Sequence, residues 1–273
     1  MRRLPQKSPF AKKSFGQNFL VDKNFVDKIV SAVDLNADDI VVEIGPGRGA
    51  LTEQLAEQAD EVIAVELDRD MAALLREKFA GCKNFRLVEG DAVDLNFSGL
   101  LTKKDRPAKL IANLPYNVST AILQSLAAQK ELFSEMVLMF QREVAERITA
   151  APGTSDRGFL TVIVEANFSV ERLFDVPPAA FRPVPKVWSS VVKLLPKSLK
   201  ITDEDLFRKL ISSGFAQRRK TLLNNLKNQI SDAVVILENS NIDPTRRAET
   251  LTLNEWLDLT RSFSVRSISQ LLK

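Results

Sequence analysis

The sequence predicts an α/β fold: a parallel sheet covered by helices on both faces, with a small helical domain after it. Three observations carry this reading. Short β-branched runs alternate with segments of helical period through the first half of the chain, which implies crossover connections between parallel strands. The first of these runs breaks into a glycine-rich turn that opens a helix. Beyond Pro196 the period is helical alone.

Taken in order, "NFVDKIVSAV" puts Phe25, Ile29 and Val33 on one face of a helix. "IVVEIGPGRG" is a strand that stops at Gly45, and "ALTEQLAEQA" is the helix that follows it. "EVIAVELD" is a second strand, ending at Glu66, and "RDMAALLREKF" a second helix. The alternation continues through "FRLVEGD", "AKLIANLPY", the helical "STAILQSLAA", "EMVLMFQ" and the helical "REVAERITA". From Gly158 to about Leu195 the pattern reads as strand-rich. The proline-rich "VPPAAFRPVPKV" interrupts it and excludes regular structure there. Past Pro196, "DEDLFRKLISSGF", "RKTLLNNLKNQI" and "LNEWLDLTRSF" are helical, with Asp243-Pro244 as a break. This gives a basic arm at 1–23, a main domain at 24–196 and a helical domain at 197–273. No internal repeat or low-complexity segment interrupts the chain.

Composition narrows the chemistry. At 273 residues, 45% hydrophobic and 27% charged, the chain is long enough for a large domain and a smaller one, each with a core. No run reaches the roughly 18 apolar residues that span a bilayer, and no apolar stretch follows the N-terminal charges. The single cysteine, Cys82, forms no internal disulfide, which fits a reducing cytoplasm. The chain has no histidine, so Ser-His-Asp triads, Cys-His pairs and Cys/His zinc sites are excluded and no metal site is expected. Chemistry here falls to carboxylates, amides, aromatic rings or a cofactor.

Charge is unevenly distributed. Residues 1–23 carry six Lys/Arg against one acid and residues 197–273 thirteen against nine, whereas 24–196 carries nineteen against twenty-five. Two basic edges around a non-basic chamber suit a polyanion; a merely solvated surface fits the same charges.

The motifs sharpen this picture. In "EIGPGRG", glycines at a strand-to-helix handover let backbone approach a ligand at the helix N-terminus, although a tight turn alone has the same sequence. Glu66, about 20 residues further on at the end of the second strand, is placed to accept hydrogen bonds from two ribose hydroxyls. Asp91, after the third strand, adds a contact on the same rim. With Gly45, Gly47 and Gly49, these two acids look more like a site for S-adenosyl-L-methionine than like a dinucleotide fingerprint. Asn113-Leu114-Pro115-Tyr116 lies at the exit of the fourth strand, beside the same pocket. An exocyclic amine on an aromatic base is a poor nucleophile because its lone pair is delocalised. The Asn113 oxygen and the Leu114 carbonyl can accept its N–H groups and stabilise the developing charge, with Pro115 fixing the carbonyl and Tyr116 stacking on an extruded base. A packed Asn-Pro turn is the plainer alternative. Arg218, Arg219 and Lys220 form a basic patch suited to phosphates, or else a solvated helix face.

Together these motifs resemble the small-subunit ribosomal RNA adenine dimethyltransferases over nearly the whole chain. The resemblance rests on "SFGQNFL" (14–20), "EIGPGRGALT", "ELDRD", "NLPYNVST", "PPAAFRPVPKV" (177–187) and "FAQRRKTLLNNL" (215–226). It implies a Rossmann-like class I methyltransferase sheet and two methyl groups placed on each of two adjacent adenines near the RNA 3′ end. It also implies that Asn18 and Leu20 join Gly45, Gly47, Glu66, Asp91 and Asn113 around S-adenosyl-L-methionine, and that Phe181 faces Tyr116 across the base. The expected partner is small-subunit ribosomal RNA, within the subunit or its precursor, for a monomeric enzyme that is not bound to a membrane. Two departures bear on substrate fit rather than cofactor use. Trp188 stands where many relatives carry an acid, and "DRGFLTV" matches the family's glycine-containing strand only loosely.

Macrolide-resistance methyltransferases of large-subunit RNA share a similar tetrapeptide, but the long basic C-terminal segment and "FAQRRKT" favour the small-subunit family. DNA adenine methyltransferases usually carry an acidic first motif residue and a target-recognition insertion, neither of which is present. A nucleic-acid-binding factor derived from the family is the alternative of another class. The short stretch before Ser14 leaves little room for a mitochondrial transit peptide, so a bacterial cytoplasmic enzyme is expected.

Overall fold

The computed structural model describes residues 17–101, 106–227 and 232–271, with side chains given as far as Phe263. Within them the chain divides into two compact units, one formed by residues up to Ala145 together with Ser169–Pro196, the other by Glu146–Phe168 and the residues from Lys197 onward. The division is therefore not the linear one expected: residues 146–168 belong with the helical unit. The first sixteen residues of the expected basic arm lie outside the described residues.

The first unit holds a seven-stranded sheet. Its strands are β2 (Ile40–Ile44), β3 (Glu61–Glu66), β4 (Phe85–Glu89), β5 (Ala108–Asn113), β6 (Phe133–Gln141), β7 (Phe168–Val176) and β9 (Ser189–Pro196), in the order β4-β3-β2-β5-β6-β9-β7. Strands β4 through β6 are parallel neighbours, and β9 runs antiparallel to β6. Between them run α2 (Ala50–Gln58), α3 (Arg69–Lys78), α4 (Ser119–Ala128) and α5 (Arg142–Ile148), where the sequence period places them. β2 reads "IVVEI" and is buried along its whole length, as a central parallel strand must be. The chain leaves β2 towards β3 on one side and later returns to β5 on the other. The strand order thus reverses beside β2, and such a reversal opens a crevice at the carboxyl ends of the strands.

Before the sheet come β1 (Phe19–Leu20) and α1 (Lys23–Ser31). Asp22 caps α1 by accepting the Asn24 N–H at 2.9 Å, and the inward face is Val26, Ile29 and Val30, with Phe25 half-buried at its edge. β1 pairs antiparallel with β8 (Phe181–Arg182), setting Leu20 opposite Phe181.

The strand-rich reading of 158–195 fails at its start, because Phe159–Asn167 is helix α6. Leu160, Thr161, Val162, Ile163, Val164 and Ala166 are all buried. A helix covered on nearly every side has no polar face to reveal its period, and its β-branched residues imitate a strand. Gly158 therefore precedes a helix rather than lying in a strand, and its N–H donates to the Thr161 hydroxyl at 3.0 Å.

Besides α6, the second unit contains α7 (Glu204–Gly214), α8 (Leu222–Leu226), α9 (Ala233–Asn239) and α10 (Leu253–Leu271). Its centre is Trp256, fully buried against Gly214, where a Cβ would come within 2.5 Å of the indole. Arg157, 1% exposed, ties the unit together by donating to the carbonyls of Leu251 and Ala150 at 3.1 Å each and to Glu165 at 2.7 Å. The helix expected over "RKTLLNNLKNQI" is confined to Leu222–Leu226, capped by Thr221, and residues 228–231 lie outside the described set.

Candidate functional site

The carboxyl ends of β2, β3 and β5 surround an open cleft. Gln17, Asn18 and Phe19 form one wall, Gly45 the floor, Glu66, Leu67 and Asp68 a second wall, and the segment from Asn113 to Val118 a third. A smaller cavity adjoins it and shares Phe19, Gly45 and Asn113, adding Leu20, Glu43 and Arg48. Their lining of apolar side chains, amides, a carboxylate and open glycine backbone suits a nucleoside with an amino-acid arm.

The glycine loop has the shape the sequence suggests. Gly45, Gly47 and Gly49 all have positive φ, between 55° and 78°, which side-chain-bearing residues rarely adopt. A Cβ on Gly47 would also lie 2.9 Å from the Phe19 ring, so the loop fits under the N-terminal motif only as glycine. Phe19 is fixed in turn by the Arg48 guanidinium, 4.8 Å from its ring centre.

Glu66 is 6% exposed. Its Oε1 accepts the Asp68 N–H at 2.8 Å and its Oε2 the Gly47 N–H at 3.1 Å. Burial raises its pKa above the ordinary carboxylate value, and these two backbone donors pull against that shift. The Leu67 N–H is a further backbone donor to the group, and the roughly four acceptor sites of a carboxylate still leave capacity towards a vicinal diol. The residues present therefore fit S-adenosyl-L-methionine. Asp91 is exposed and outside the lining; its carboxylate accepts the Val93 N–H at 2.9 Å. It follows Gly90, whose N–H donates to the Glu66 carbonyl at 3.1 Å, and so stands one residue from the rim.

At the third wall, the Asn113 Nδ2 donates to the Asn18 carbonyl at 3.2 Å. The opposite amide orientation would set two acceptors face to face, so this bond fixes Oδ1 as the group free to turn towards a ligand. The Leu114 N–H donates to the Met139 carbonyl at 3.3 Å, anchoring the turn to β6. The Tyr116 hydroxyl lies 2.7 Å from the Ser189 hydroxyl. Burial pushes the phenol up and the Ser189 bond pulls it down, with a net rise; Tyr116 is therefore a neutral ring, not a base, at neutral pH.

The structure brings together Asn18, Gly45, Glu66 and the Asn113–Tyr116 turn, with Leu20 beside the smaller cavity. It does not bring Phe181 to them. Phe181 is 0% exposed and packs in the core with Leu20, Ala180 and Val191, because its pairing with β1 turns it beneath the N-terminal motif. It lines neither cavity, and the expected clamp across from Tyr116 is absent from this conformation. Sequence reasoning also missed Gln17 and Asp68, which hydrogen-bond at 2.9 Å and pin the N-terminal motif to the second wall. Asp68 precedes a helix and accepts the Asp70 N–H at 3.0 Å, so in the sequence it reads simply as a cap. Among the described residues no cluster of three or more Cys, Asp or Glu could hold a metal ion.

In the second unit, Arg218, Arg219 and Lys220 are exposed on a turn before α8, not in the helix itself, with the Lys220 N–H donating to the Gln217 carbonyl at 3.0 Å. The Arg218 guanidinium is bound to the carbonyls of Ser155 and Arg157. Arg219 and Lys220 make up the outward part of the patch.

Known proteins with these features agree. The chain is 41% identical over 264 residues to ribosomal RNA small subunit methyltransferase A of Geobacter metallireducens, covering 92% of this chain and 95% of that one. It is 45% identical over 251 residues to the protein of the same name from Syntrophotalea carbinolica, covering 90% and 94%. Among solved structures, a dimethyladenosine transferase from Plasmodium falciparum superposes with a TM-score of 0.79 at 30% identity, over 91% of this chain and 98% of that one. The 23S ribosomal RNA methyltransferase ErmE shares the fold, with a TM-score of 0.66 at 24% identity over 90% of this chain and all of its own. The sequence pattern of the ribosomal RNA adenine dimethylases matches residues 10–264, and the chain belongs to that family.

Proposed function

We propose that the protein transfers methyl groups from S-adenosyl-L-methionine to the N6 amino groups of two adjacent adenines in a hairpin loop near the 3′ end of small-subunit ribosomal RNA. The observation that carries this reading is the placement of the Asn113–Tyr116 turn and Glu66 on facing walls of one cleft, in a member of this family.

When bound, S-adenosyl-L-methionine would supply an electrophilic methyl group, the sulfur keeping the electron pair of the broken S–methyl bond and leaving as a neutral thioether. Glu66 accepts its two ribose hydroxyls, the Gly45 and Gly47 backbone allows its close approach, and Asn18, Leu20 and Asn113 close around it. Asp91, one residue beyond the rim, is the candidate contact for its base. Tyr116 offers a flat neutral face on which an unpaired adenine stacks. The Asn113 Oδ1 and Leu114 carbonyl accept the amine N–H groups, favour a pyramidal nitrogen and stabilise its positive charge as the new bond forms. The displaced proton leaves to water. After one transfer a single N–H remains, which one of the two acceptors can hold for the second. Phe181 supports Leu20 from beneath in this conformation rather than clamping the base. The Arg218–Lys220 turn grips RNA phosphates, and the enzyme works as a cytoplasmic monomer. Among the described residues no helix is long and apolar enough to cross a membrane.

The test is to offer the protein and labelled cofactor unmethylated small subunits, large subunits and DNA, and to map the label. Dimethylated adjacent adenines in the small subunit are expected. Label confined to large subunits or DNA would overturn the reading.

A further inference from the structure

The loop from Pro183 to Trp188, between β8 and β9, exposes three large apolar side chains. Val184 is 57% exposed, Val187 42% and Trp188 44%. Nothing in the activity as described uses them. Their position is defined by the sheet. β9 runs antiparallel to β6, with Ser189 opposite Gln141, so the start of β9 lies at the carboxyl end of the parallel strands, on the rim that carries the cleft. The Arg142 N–H donates to the Trp188 carbonyl at 2.9 Å, which holds the indole's backbone at that rim. The next residue, Ser189, is fully buried and touches the Tyr116 hydroxyl at 2.7 Å. One peptide unit thus separates Trp188 from the group that fixes the ring at the mouth of the cleft.

An exposed indole costs solubility and is not needed to hold this backbone bond, which any residue can make. Arg142, whose N–H holds the Trp188 carbonyl, is exposed, and Arg182 and Lys186 are exposed in the segment leading to Trp188; the acids on this side are exposed Glu143 and half-buried Asp175, which interacts with Arg142. A flat aromatic face among cations matches an unpaired nucleotide, whose base stacks while its phosphate is neutralised. It does not match an acidic or purely apolar partner.

We infer that Trp188 is the stacking platform for an unpaired nucleotide flanking the adenine held at Tyr116, and so a specificity residue for unpaired RNA. The inference rests on the reading of the cleft given above. With Tyr116 carrying the target base and Trp188 the neighbouring one, the two rings splay adjacent nucleotides onto separate surfaces. An extended, unstacked strand is then selected over a continuous helix.

The chain has two tryptophans, and the other, Trp256, is fully buried in the second unit. Subtracting the fluorescence of W188A from that of the parent protein therefore isolates the exposed indole. Titration with a small-subunit hairpin bearing adjacent unpaired adenines should quench that difference signal. In steady-state methylation of small subunits, W188A should raise the KM for RNA about tenfold, the size of one base-on-aromatic stack, while cofactor affinity stays the same; W188F should restore most of the loss. An unquenched difference signal, or a W188A KM equal to that of the parent, would overturn the inference. Failure of the underlying reading looks different: the parent protein itself would transfer no methyl to small subunits.

Discussion

Asn113 and Asn18 are ninety-five residues apart in the chain and joined by a 3.2 Å bond from the Asn113 Nδ2 to the Asn18 carbonyl. This bond makes a side chain at the end of a central strand depend on a short N-terminal motif. It fixes which end of the amide faces the cleft. Asn113→Ala should lower the single-turnover methylation rate by about 10²–10³-fold at saturating cofactor, the effect of losing one preorganised group that stabilises the transition state. RNA affinity should hardly change. A near-parental rate would show that the amide does not align the amine.

Glu66→Ala removes the acceptor of two backbone N–H groups as well as the proposed ribose contact. Isothermal titration should show cofactor affinity weakened by about 1–3 kcal/mol, roughly 5- to 150-fold in Kd. Cofactor affinity equal to the parent's would assign Glu66 to loop structure alone.

On the second unit, Arg219→Glu with Lys220→Glu reverses the outward charges and leaves Arg218 in its bonds to Ser155 and Arg157. Binding to small-subunit RNA should weaken, and the slope of log K against log salt should become shallower by about one to two, since each lost phosphate contact removes about 0.7–0.9. Equal slopes would reduce the turn to ordinary surface.

Glu43, 1% exposed on β2 behind the glycine loop, accepts the Thr52 hydroxyl bond at 2.6 Å. Burial pushes its pKa up to about 8, against the Thr52 bond, with the nearby Glu66 charge adding to the rise. Below about pH 4.5 the group is protonated whether the chain is folded or not. From there to about pH 8 the fold keeps a proton that the unfolded chain gives up, so stability declines as pH rises, with a slope approaching about 1.4 kcal/mol per unit. Glu43→Gln keeps an acceptor for Thr52 and cannot ionise. Denaturant unfolding should find it close to the parent near about pH 5 and more stable near about pH 8. The same stability difference at both values would mean that Glu43 is ionised in the fold.

By itself the sequence determined everything that follows from local pattern. The strand period of "IVVEI" and "EVIAVE", the helical period between them, the glycines that need positive φ, and the acid and amide at strand ends were all legible, because each is a short-range steric or periodic constraint. The motif strings identified the family for the same reason. What only the tertiary structure decided came from contacts distant in sequence. Burial on nearly all sides made Phe159–Asn167 a helix despite its β-branched residues, and took residues 146–168 into the second unit. Pairing of β1 with β8 sent Phe181 into the core instead of the cleft. Gln17 met Asp68, and Ser189 met Tyr116, across 51 and 73 residues. Local sequence records how a residue sits in its own strand or helix; which face that element presents, and what faces it, is set by packing against segments the local pattern does not contain.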